Sequence, residues 1–352
     1  MEIFEKSYKN KLSKLSFIDL FSGIGGFRLA LESFGARCVF SSEWDKDCQD
    51  IYYKNFGERP YGDITEISES RIPDHDILCA GFPCQAFSIS GKQLGFQDTR
   101  GTLFFEIARI IKYHLPKLVF LENVKNFENH DKGRTLKVVI NTLNQAGYDV
   151  YYKVLNASLF GVPQKRERIY FLAFRKDLNV NGFKFVRSAD KYSRLKDFCL
   201  PDELTEKYVI TRDDIKLKED VKVEKDIFGN YPQKPIRIGI VNKGGQGERI
   251  YHECGHAVTL SAYGGGIGAK TGLYMVNKKI RKLAPRECAK ISGFPDSFIL
   301  HDSDSVNYRV FGNTVVINVL QYIIKKLVDD GIFHLFESPF FHEKFKCIES
   351  VG

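Results

Sequence analysis

The first half of the chain alternates between short apolar runs and segments in which apolar residues recur at helical spacing. Apolar runs typical of buried strands occur at 17–21, 38–42, 76–80, 118–121, 150–155 and 169–174. Helical segments at 25–34, 45–56 and 136–143 follow three of these runs, and glycines at 35, 57 and 147 end them. This alternation predicts an α/β fold in which an open, mostly parallel, Rossmann-like sheet carries helices on both faces.

The pattern changes after about residue 176. Residues 176–235 are charged and weakly periodic, and residues 236–275 combine short β-like runs with many glycines. Helical character returns at 285 and again at 315–328. We therefore predict a large domain of residues 1–200 that the C-terminal segment 305–352 completes, a smaller strand-rich domain of residues 201–285, and a hinge at 286–304.

Composition narrows the class of protein. The chain has 352 residues and a formal net charge of +8, which fits a polyanionic partner such as nucleic acid. Its eight cysteines are scattered without a CxxC pair, so we expect reduced thiols rather than a disulfide framework. No apolar run approaches the roughly 18 residues that a membrane helix needs, and no apolar export segment begins the chain. We expect a cytoplasmic protein that binds no membrane.

A glycine-rich turn joins the first predicted strand to the first helix. Residues 19–26 read DLFSGIGG, a G-x-G-G spacing that departs from the G-x-G-x-x-G dinucleotide fingerprint. After the next strand, Glu43 is placed to hold ribose hydroxyls and Trp44 to lie against an adenine ring. Asp63 is a candidate acceptor for the adenine amino group. Each feature alone also fits an ordinary turn with a surface acid, but together they predict an adenosine-containing ligand.

A cysteine follows the third predicted strand in a proline-constrained loop. Cys84 is therefore placed to project into a cleft, and Glu122, after the next strand, faces the same cleft. Arg166 and Arg168 stand two residues apart in an extended segment, so their side chains point the same way. Residues 88–100 predict a loop that closes over a substrate. Taken singly, a buried inert thiol and a solvated charged turn are the alternatives.

In combination, these segments resemble the C5-cytosine DNA methyltransferase family. Nine motifs carry the resemblance in order and span essentially the whole chain: 17–27, 43–44, 62–64, 81–88, 100–104, 122–124, 164–168, 281–287 and 312–315. The resemblance implies a class I S-adenosylmethionine-dependent methyltransferase fold with a smaller target-recognition domain. It also implies methyl transfer to carbon 5 of cytosine in DNA.

The resemblance gives each candidate catalytic residue a role. Carbon 5 of cytosine is a poor nucleophile, and a thiolate that adds at carbon 6 makes it enamine-like. By its motif Cys84 is that thiolate, and Glu122 hydrogen-bonds the ring N3 and the exocyclic amine and supplies a proton. Arg168 binds the O2 carbonyl and Arg166 supports the site. Loss of the carbon 5 proton then frees the cysteine.

The implied cofactor is S-adenosylmethionine, and no metal is implied. The residues that match the family's cofactor-binding positions are Phe21, Ile24, Gly25, Gly26, Glu43, Trp44, Asp63, Ile64, Leu103, Asn313 and Thr314. At position 314 the family usually has serine. Threonine keeps the hydroxyl, so we expect little effect.

The implied partner is double-stranded DNA. A base inside a duplex is out of reach of a nucleophile, so the cytosine must be flipped out, at a cost of a few kcal/mol. The glycines of residues 242–250 allow backbone entry, with Gln246 in the vacated space and Arg249 reading guanine bidentately. Alone, the same segment fits a surface turn equally well. Between 270 and 290, seven Lys or Arg and one acid are expected to contact phosphate, with a solvated face as the alternative.

Residues 235–275 resemble the recognition region of a family member that methylates the inner cytosine of GCGC. The resemblance implies that target here. The expected DNA-binding residues are Ser88, Ile89, Ser90, Gln246, Arg249, Thr259, Tyr263 and Gly266. Residues 252–256, HECGH, depart from the pattern beside the readout residues, so another target sequence is an alternative. A metal site at these residues is disfavoured, because ligands so crowded in sequence rarely close a tetrahedral site.

Three other functions are alternatives. A transfer-RNA cytosine-5 methyltransferase is disfavoured by the glycine-rich recognition segment, and a nicotinamide oxidoreductase by the G-x-G-G spacing. Intact Cys84, Glu122 and Arg168 disfavour a non-catalytic DNA-binding regulator. From the family we expect the modification enzyme of a prokaryotic type II restriction–modification system. It would act as a monomer on the nucleoid, beside an endonuclease of the same specificity with which it forms no stable complex.

Overall fold

The computed structural model describes residues 6–83, 103–189, 191–218, 221, 223–264 and 266–337, and it contains two sheets. The strands of the first sheet are β1 (Ser16–Leu20), β2 (Arg37–Ser42), β3 (Ile77–Gly81), β4 (Leu118–Val124), β5 (Tyr148–Asn156) and β6 (Glu167–Arg175). Those of the second are β7 (Lys216–Leu217), β8 (Arg237–Ile240), β9 (Arg249–His252), β10 (Leu273–Val276) and β11 (Lys279–Arg281). The α-helices are α1 (Gly26–Glu32), α2 (Lys46–Phe56), α3 (Leu103–His114), α4 (Arg134–Gln145), α5 (Pro285–Ile291), α6 (Asp304–Asn313) and α7 (Ile317–Asp329).

The first sheet has the strand order β2-β1-β3-β4-β6-β5. β1 pairs in parallel with β2 and β3, and β3 pairs in parallel with β4. β6 is antiparallel to both β4 and β5, so it runs against the other five strands of this sheet. The mostly parallel sheet is as predicted. Because β1, β3 and β4 run the same way, the residues that follow them meet at one edge of the sheet.

Helices cover both faces of this sheet, as predicted. Successive residues of a strand point to opposite faces, so Phe17 and Phe120 enter one apolar core while Ile18 and Val119 enter the other. α1 and α7 pack against each other and bury side chains in the first core. α3 and α4 bury theirs in the second. The C-terminal segment therefore packs on the sheet that the N-terminal half of the chain forms.

Two helices go beyond the sequence prediction. In α3, Phe104, Ile107 and Ile111 are buried at helical spacing, a pattern that periodicity can detect. α6 gives a weaker signal because it buries Asn307 beside Val310. Elsewhere the predicted bounds agree closely with the observed ones.

The second sheet has the order β11-β10-β9-β8-β7 and a small core of its own. That core consists of Ile238, Val241, Ile250 and Leu273. All five strands lie within the predicted range 201–285, although the domain limits themselves stay a prediction. The weakly periodic residues 176–235 form short 3-10 turns and the two-residue β7 in the part that the structure describes.

Two further sequence predictions concern thiols and membranes. Six cysteines lie in the described residues and all six are free: Cys38, Cys48, Cys79, Cys199, Cys254 and Cys288. Over the same residues, no helix is long and apolar enough to cross a bilayer.

Two histidines are buried with one ring nitrogen unpaired. His75 Nδ1 lies 2.8 Å from the Pro73 carbonyl oxygen, and His256 Nε2 lies 2.9 Å from that of Ser193. The other ring nitrogen of each histidine has no hydrogen-bond partner in the described part of the chain. Burial lowers the pKa of each ring to about 4. Both histidines are therefore neutral at pH 7 and donate one hydrogen bond each.

These histidines predict a loss of stability in mild acid. A histidine in the unfolded chain titrates near pH 6.5, so between pH 6.5 and about 4 the unfolded state binds more protons. The free energy of unfolding should therefore fall as the pH drops from 7 to 5, by about 1–2 kcal/mol per histidine. Urea unfolding at both pH values measures this change.

The matched variants are His75→Asn and His256→Gln, whose amides can keep the Nδ1 and Nε2 hydrogen bonds. We expect the double variant to flatten the pH dependence, and His334→Asn, at an exposed position, to leave it unchanged. An unaltered slope in the double variant would contradict this explanation.

Candidate active site

A cavity of about 630 Å³ opens at the edge of the first sheet where β1, β3 and β4 end. Its volume lies in the range of sites that hold a small molecule. Thirteen of the residues predicted from sequence line it: Phe21, Ile24, Glu43, Trp44, Asp63, Ile64, Leu103, Glu122, Arg166, Arg168, Tyr263, Asn313 and Thr314. The fold thus brings nine of the eleven predicted cofactor-binding residues, the three described catalytic residues and one recognition residue to a single cavity.

Glu43 is buried at one side of the cavity with both carboxylate oxygens occupied. Oε2 accepts the Gly23 amide at 2.8 Å and Oε1 accepts the Asp45 amide at 2.9 Å. Burial raises the pKa of Glu43, while the amides of Asp45 and Gly23 act against the rise. A carboxylate oxygen can accept a second hydrogen bond. The fixed carboxylate therefore suits a diol such as a ribose.

Trp44 and Asp63 complete this end of the cavity. Trp44 is the single tryptophan of the chain, and 77% of its surface is exposed beside the cavity. Asp63 Oδ1 accepts hydrogen bonds from the Thr65 amide and hydroxyl, both at 2.9 Å. The exposed indole of Trp44 offers a flat surface for a purine, and the fixed carboxylate of Glu43 offers acceptors for its sugar. These residues fit an adenosine-containing group.

The glycines after β1 have different reasons to be glycine. At Gly23, with φ of 54°, a Cβ would meet no atom within 4 Å. At Gly25 a Cβ would lie 2.4 Å from Phe56, and at Gly26 it would lie 2.4 Å from Val315. Packing within the protein therefore requires glycine at 25 and 26, whereas at 23 the positive φ alone favours glycine. Cofactor contact by Gly25 and Gly26 stays a prediction.

Glu122 and Arg168 meet at the other end of the cavity. The two residues end the antiparallel pair of β4 and β6, and Arg168 Nε lies 3.1 Å from Glu122 Oε1. The atoms are close enough for an ion pair but are not aligned as a hydrogen bond. Burial raises the pKa of Glu122, and the charges of Arg168 and Arg166 limit the rise. A buried carboxyl group that holds its proton more firmly than usual can donate it to a substrate.

Cys84 lies outside the described residues, as do the predicted DNA-binding residues Ser88, Ile89 and Ser90. The chain leading to Cys84 is described as far as Pro83, which lines the cavity with Phe82. The Asn123 amide donates a hydrogen bond to the Phe82 carbonyl at 2.9 Å. The residue after Glu122 therefore fixes the segment that precedes the candidate nucleophile.

Arg166 is a buried connection between three parts of the chain. Its guanidinium donates to the carbonyls of Leu260 at 3.1 Å, Gly312 at 3.0 Å and Thr314 at 2.8 Å. Burial lowers the pKa of Arg166 to about 9, and the charge of Arg168 acts in the same direction. The guanidinium is still protonated at neutral pH. Arg166 thus links the start of β6, the strand that carries Arg168, to two other parts of the chain. These are residues 259–263, here called the recognition segment, and residues 312–314, here called the cofactor segment.

The recognition segment also packs directly on the end of α6. A Cβ at Gly312 would lie 2.1 Å from the backbone nitrogen of Ala262, so only glycine fits. Tyr263 follows immediately, is mostly exposed and lines the cavity. The chain next to Tyr263, which is predicted to bind DNA, is therefore in backbone contact with the chain next to Asn313, which is predicted to bind cofactor.

The remaining recognition residues lie on two loops that contact each other and, for Arg249, at the start of β9. The Gly268 amide donates to the Gly247 carbonyl at 2.8 Å, and a Cβ at Gly266 would lie 3.7 Å from the Gln246 carbonyl oxygen. Gln246 and Arg249 are exposed. Thr259, also exposed, donates from its hydroxyl to the Lys165 carbonyl at 2.5 Å, next to Arg166. The structure thus places Gln246 beside Gly266 and Thr259 beside Lys165, while contacts of these residues with DNA stay a prediction.

Residues 252–256 make structural contacts. His252 Nδ1 accepts the Cys254 amide at 3.0 Å, and Glu253 pairs with Lys196 at 2.8 Å. Together with the bond from His256 to Ser193, these contacts attach the second sheet to residues 193–196. Arg249 begins β9 and His252 ends it, so the turn starts three positions, about 10 Å along the strand, from Arg249. Across the described chain, no group of three or more His, Cys, Asp or Glu is arranged to hold a metal ion.

One residue of the basic stretch 270–290 does not contact phosphate as expected. Arg281 is only 1% exposed and donates to both oxygens of Glu287, at 2.8 and 2.7 Å. Glu287 also accepts the Leu200 and Ala284 amides. The expectation is wrong for Arg281, because its buried guanidinium forms an ion pair with Glu287. Glu287 also binds the Leu200 amide, so this pair connects the chain before and after β11.

Sequence reasoning missed Arg309, Asp45 and Asn123, which also line the cavity. Arg309 stands four residues before Asn313 on α6, and residues four apart share a helix face. That spacing is the signal that could have identified it.

Comparison with known proteins agrees with this geometry. The family model described as C-5 cytosine-specific DNA methylase matches residues 15–329. The type II methyltransferase M.HhaI of Haemophilus parahaemolyticus is 60% identical over 313 residues, covering 89% of this chain and 94% of that protein. The type II methyltransferase M.HpaII of Haemophilus parainfluenzae is 44% identical over 335 residues, covering 92% of each.

Solved structures of distant sequence share the fold. The crystal structure of the Schizosaccharomyces pombe Dnmt2 methyltransferase has a TM-score of 0.67 at 21% identity, covering 90% of this chain and 99% of that one. A putative DNA modification methyltransferase from an Escherichia coli prophage has a TM-score of 0.64 at 22% identity, with coverage of 90% and 99%.

The family match spans most of the chain, and Glu122, Arg166 and Arg168, which belong to the motifs of the resemblance, line the cavity. The chain therefore belongs to the C-5 cytosine-specific DNA methylase family: it is a DNA (cytosine-5)-methyltransferase, and its methyl donor is S-adenosylmethionine.

Proposed function

We propose that this enzyme flips the inner cytosine of GCGC out of double-stranded DNA and methylates it, as the modification enzyme of a type II restriction–modification system. The resemblance of residues 235–275 to a GCGC recognition region supports the target. The 60% identity to the type II methyltransferase M.HhaI supports the restriction–modification role. The HECGH turn does not argue against GCGC, because its side chains serve the attachment of the second sheet.

One observation carries the proposed mechanism. Glu122 and Arg168 form a pair at 3.1 Å in the same cavity that holds Glu43 and Trp44 at its other side. A proton donor with a raised pKa beside a cation suits an uncharged base that gains negative charge at its oxygen during reaction. The residues proposed to donate the proton and those proposed to bind adenosine thus line one cavity, which supports a single site of methyl transfer.

The proposed reaction proceeds by covalent catalysis. The Cys84 thiolate adds to carbon 6 of the flipped cytosine, while Glu122 donates a proton to N3 and Arg168 binds O2. The ring becomes an enamine, and its carbon 5 is then nucleophilic. When bound, S-adenosylmethionine would supply the methyl group to carbon 5, and its sulfur would keep the electron pair of the broken S–CH3 bond and leave as S-adenosylhomocysteine. Loss of the carbon 5 proton to a base such as water expels the Cys84 thiolate, and return of the N3 proton to Glu122 restores the neutral aromatic base.

Cofactor binding is proposed for the residues at the opposite side of the cavity. Glu43 accepts from the ribose hydroxyls, Trp44 lies against the adenine, and Asp63 accepts from its amino group. Phe21, Ile24, Ile64 and Leu103 supply apolar contacts, and Asn313 and Thr314 close the site from α6.

Base flipping and recognition are proposed for the exposed loops. Gln246 fills the space that the cytosine leaves, and Arg249 reads guanine, with Thr259, Tyr263 and Gly266 beside them. Ser88, Ile89 and Ser90 contact the DNA from the segment after Cys84. The recognition domain spans residues 201–285, the hinge 286–304, and the catalytic domain the remainder.

We further propose that the enzyme acts as a monomer in the prokaryotic cytoplasm. An endonuclease of the same specificity would act on the unmethylated site without forming a stable complex with it.

The target and nucleophile are tested by methyl incorporation. Labelled S-adenosylmethionine is supplied with duplexes that carry GCGC, GGCC or a scrambled site, and with transfer RNA. We expect label in the GCGC duplex alone. Cys84→Ser should abolish it, because a hydroxyl is a far weaker nucleophile than a thiolate, and Cys254→Ser is the matched control that keeps it.

Label in a different duplex would overturn the GCGC target and leave the chemistry intact. Label in transfer RNA alone would overturn the substrate proposal. Undiminished activity of Cys84→Ser would overturn the nucleophile.

The role of Glu122 is tested by Glu122→Gln, which keeps the size of the side chain but removes its acidic proton. We expect kcat to fall about 10²–10⁴-fold, the usual contribution of a positioned general acid. Filter binding of the GCGC duplex should remain close to wild type. Glu128→Gln, on the turn after β4, is the matched control. An unchanged kcat in Glu122→Gln would exclude Glu122 as the proton donor.

A further inference from the structure

Arg309 binds two carboxylates from the other end of the sequence. It lies on α6, one turn before Asn313, and its Nη1 donates to Asp45 Oδ2. Its Nη2 lies 3.2 Å from Asp45 Oδ1 and also donates to Asp47. About a quarter of the Arg309 and Asp45 side chains is exposed, so solvent screens this pair less than it would a surface pair.

Asp45 connects this ion pair to the predicted cofactor-binding residues. Its carboxylate caps α2 by accepting the Cys48 amide at 3.0 Å, and its own amide donates to Glu43. Trp44 stands between Glu43 and Asp45 in the chain. The position of the Asp45 carboxylate therefore sets where the backbone of residues 43–45 lies beside the cavity.

The far end of α2 is held by the same C-terminal part of the chain. Asn55 exchanges two hydrogen bonds with the Ile299 backbone, at 2.9 and 2.7 Å. Residues 299–309 thus contact α2 at both ends, and α6 continues to Asn313, which also lines the cavity. These contacts connect the stretch from Glu43 to Asp45 with the helix that carries Asn313.

We propose that Arg309 is a positioning residue for the cofactor: by binding Asp45 and Asp47 it holds Glu43 and Trp44 at the distance from Asn313 and Thr314 that S-adenosylmethionine requires. Arg309 then determines the affinity for the cofactor rather than the rate of the chemical step. This inference rests on the assignment of the cavity to S-adenosylmethionine.

A direct contact between Arg309 and the cofactor makes a different prediction. If the guanidinium bound the ligand itself, removing the charge of Asp47 would free it and strengthen binding. If it acts through the acids, removal of either partner weakens binding. The double variant Arg309→Gln/Asp47→Asn should then bind the cofactor no more weakly than Arg309→Gln alone, because both substitutions break the same connection.

The experiment uses the full chain and the fluorescence of its single tryptophan, Trp44, during titration with S-adenosylhomocysteine. We expect Arg309→Gln to raise the Kd about fivefold, the upper end for partly exposed ion pairs, and Arg309→Lys to recover part of the affinity. Asp47→Asn should weaken binding less, since Arg309 keeps Asp45, and it provides a second test should Arg309→Gln fail to fold. In methylation assays the loss should appear in the KM for cofactor rather than in kcat.

Lys326→Gln is the matched control, because it removes an ion pair with Asp330 on α7 without involving the cavity. Wild-type affinity in Arg309→Gln, or tighter binding in Asp47→Asn, would overturn the positioning role. Failure of the wild-type enzyme to bind S-adenosylhomocysteine would instead overturn the cofactor assignment, and this inference with it.

Discussion

The rest of the site depends on the hydrogen bonds that the buried guanidinium of Arg166 donates. Its donors reach carbonyls of the recognition segment and of the segment after α6, while its backbone leads into β6 and Arg168. A buried charge costs free energy unless its donors are satisfied, and three carbonyls satisfy this one in part. Displacing either segment would leave one of the two terminal nitrogens of the guanidinium without its carbonyl acceptors. The site is therefore stable only when β6, the recognition segment and the cofactor segment are all in place.

The contacts of α6 explain how two stretches that are distant in sequence, residues 43–45 and 262–263, come to lie at one cavity. Gly312 allows the backbone of Ala262 to approach α6, which places Tyr263 at the edge of the cavity. Arg309 on the same helix carries the connection onward to Asp45. Residues near the C-terminus thus contact the recognition segment on one side and the Glu43–Asp45 stretch on the other.

The sequence predicts the catalytic end of the site because its residues follow predictable strands. Glu122 and Arg168 lie where strand ends meet, so alternation of strands and helices is enough to bring them together. Sequence patterns do not reveal the ion pair of Arg309 or the packing that requires glycine at 25 and 26. The partner of Arg309 lies 264 residues away, and the neighbours that require glycine at 25 and 26 come from α2 and from the chain after α6. Contacts so distant in sequence leave no periodic signal. Arg281 shows the converse, since a charged stretch does not reveal which of its members is buried.

The central claim is that Cys84 attacks carbon 6 of a flipped cytosine in GCGC, and covalent trapping tests it most directly. Fluorine at carbon 5 replaces the proton whose loss expels the cysteine, so the adduct formed after methyl transfer should persist. The enzyme is incubated with S-adenosylmethionine and a duplex carrying 5-fluorocytosine at the inner position of GCGC, and the complex is digested for mass spectrometry. The account predicts a DNA adduct on the peptide that contains Cys84, and none when the outer cytosine carries the fluorine. An adduct on another residue, or no adduct despite methyl transfer to the unmodified duplex, would contradict it.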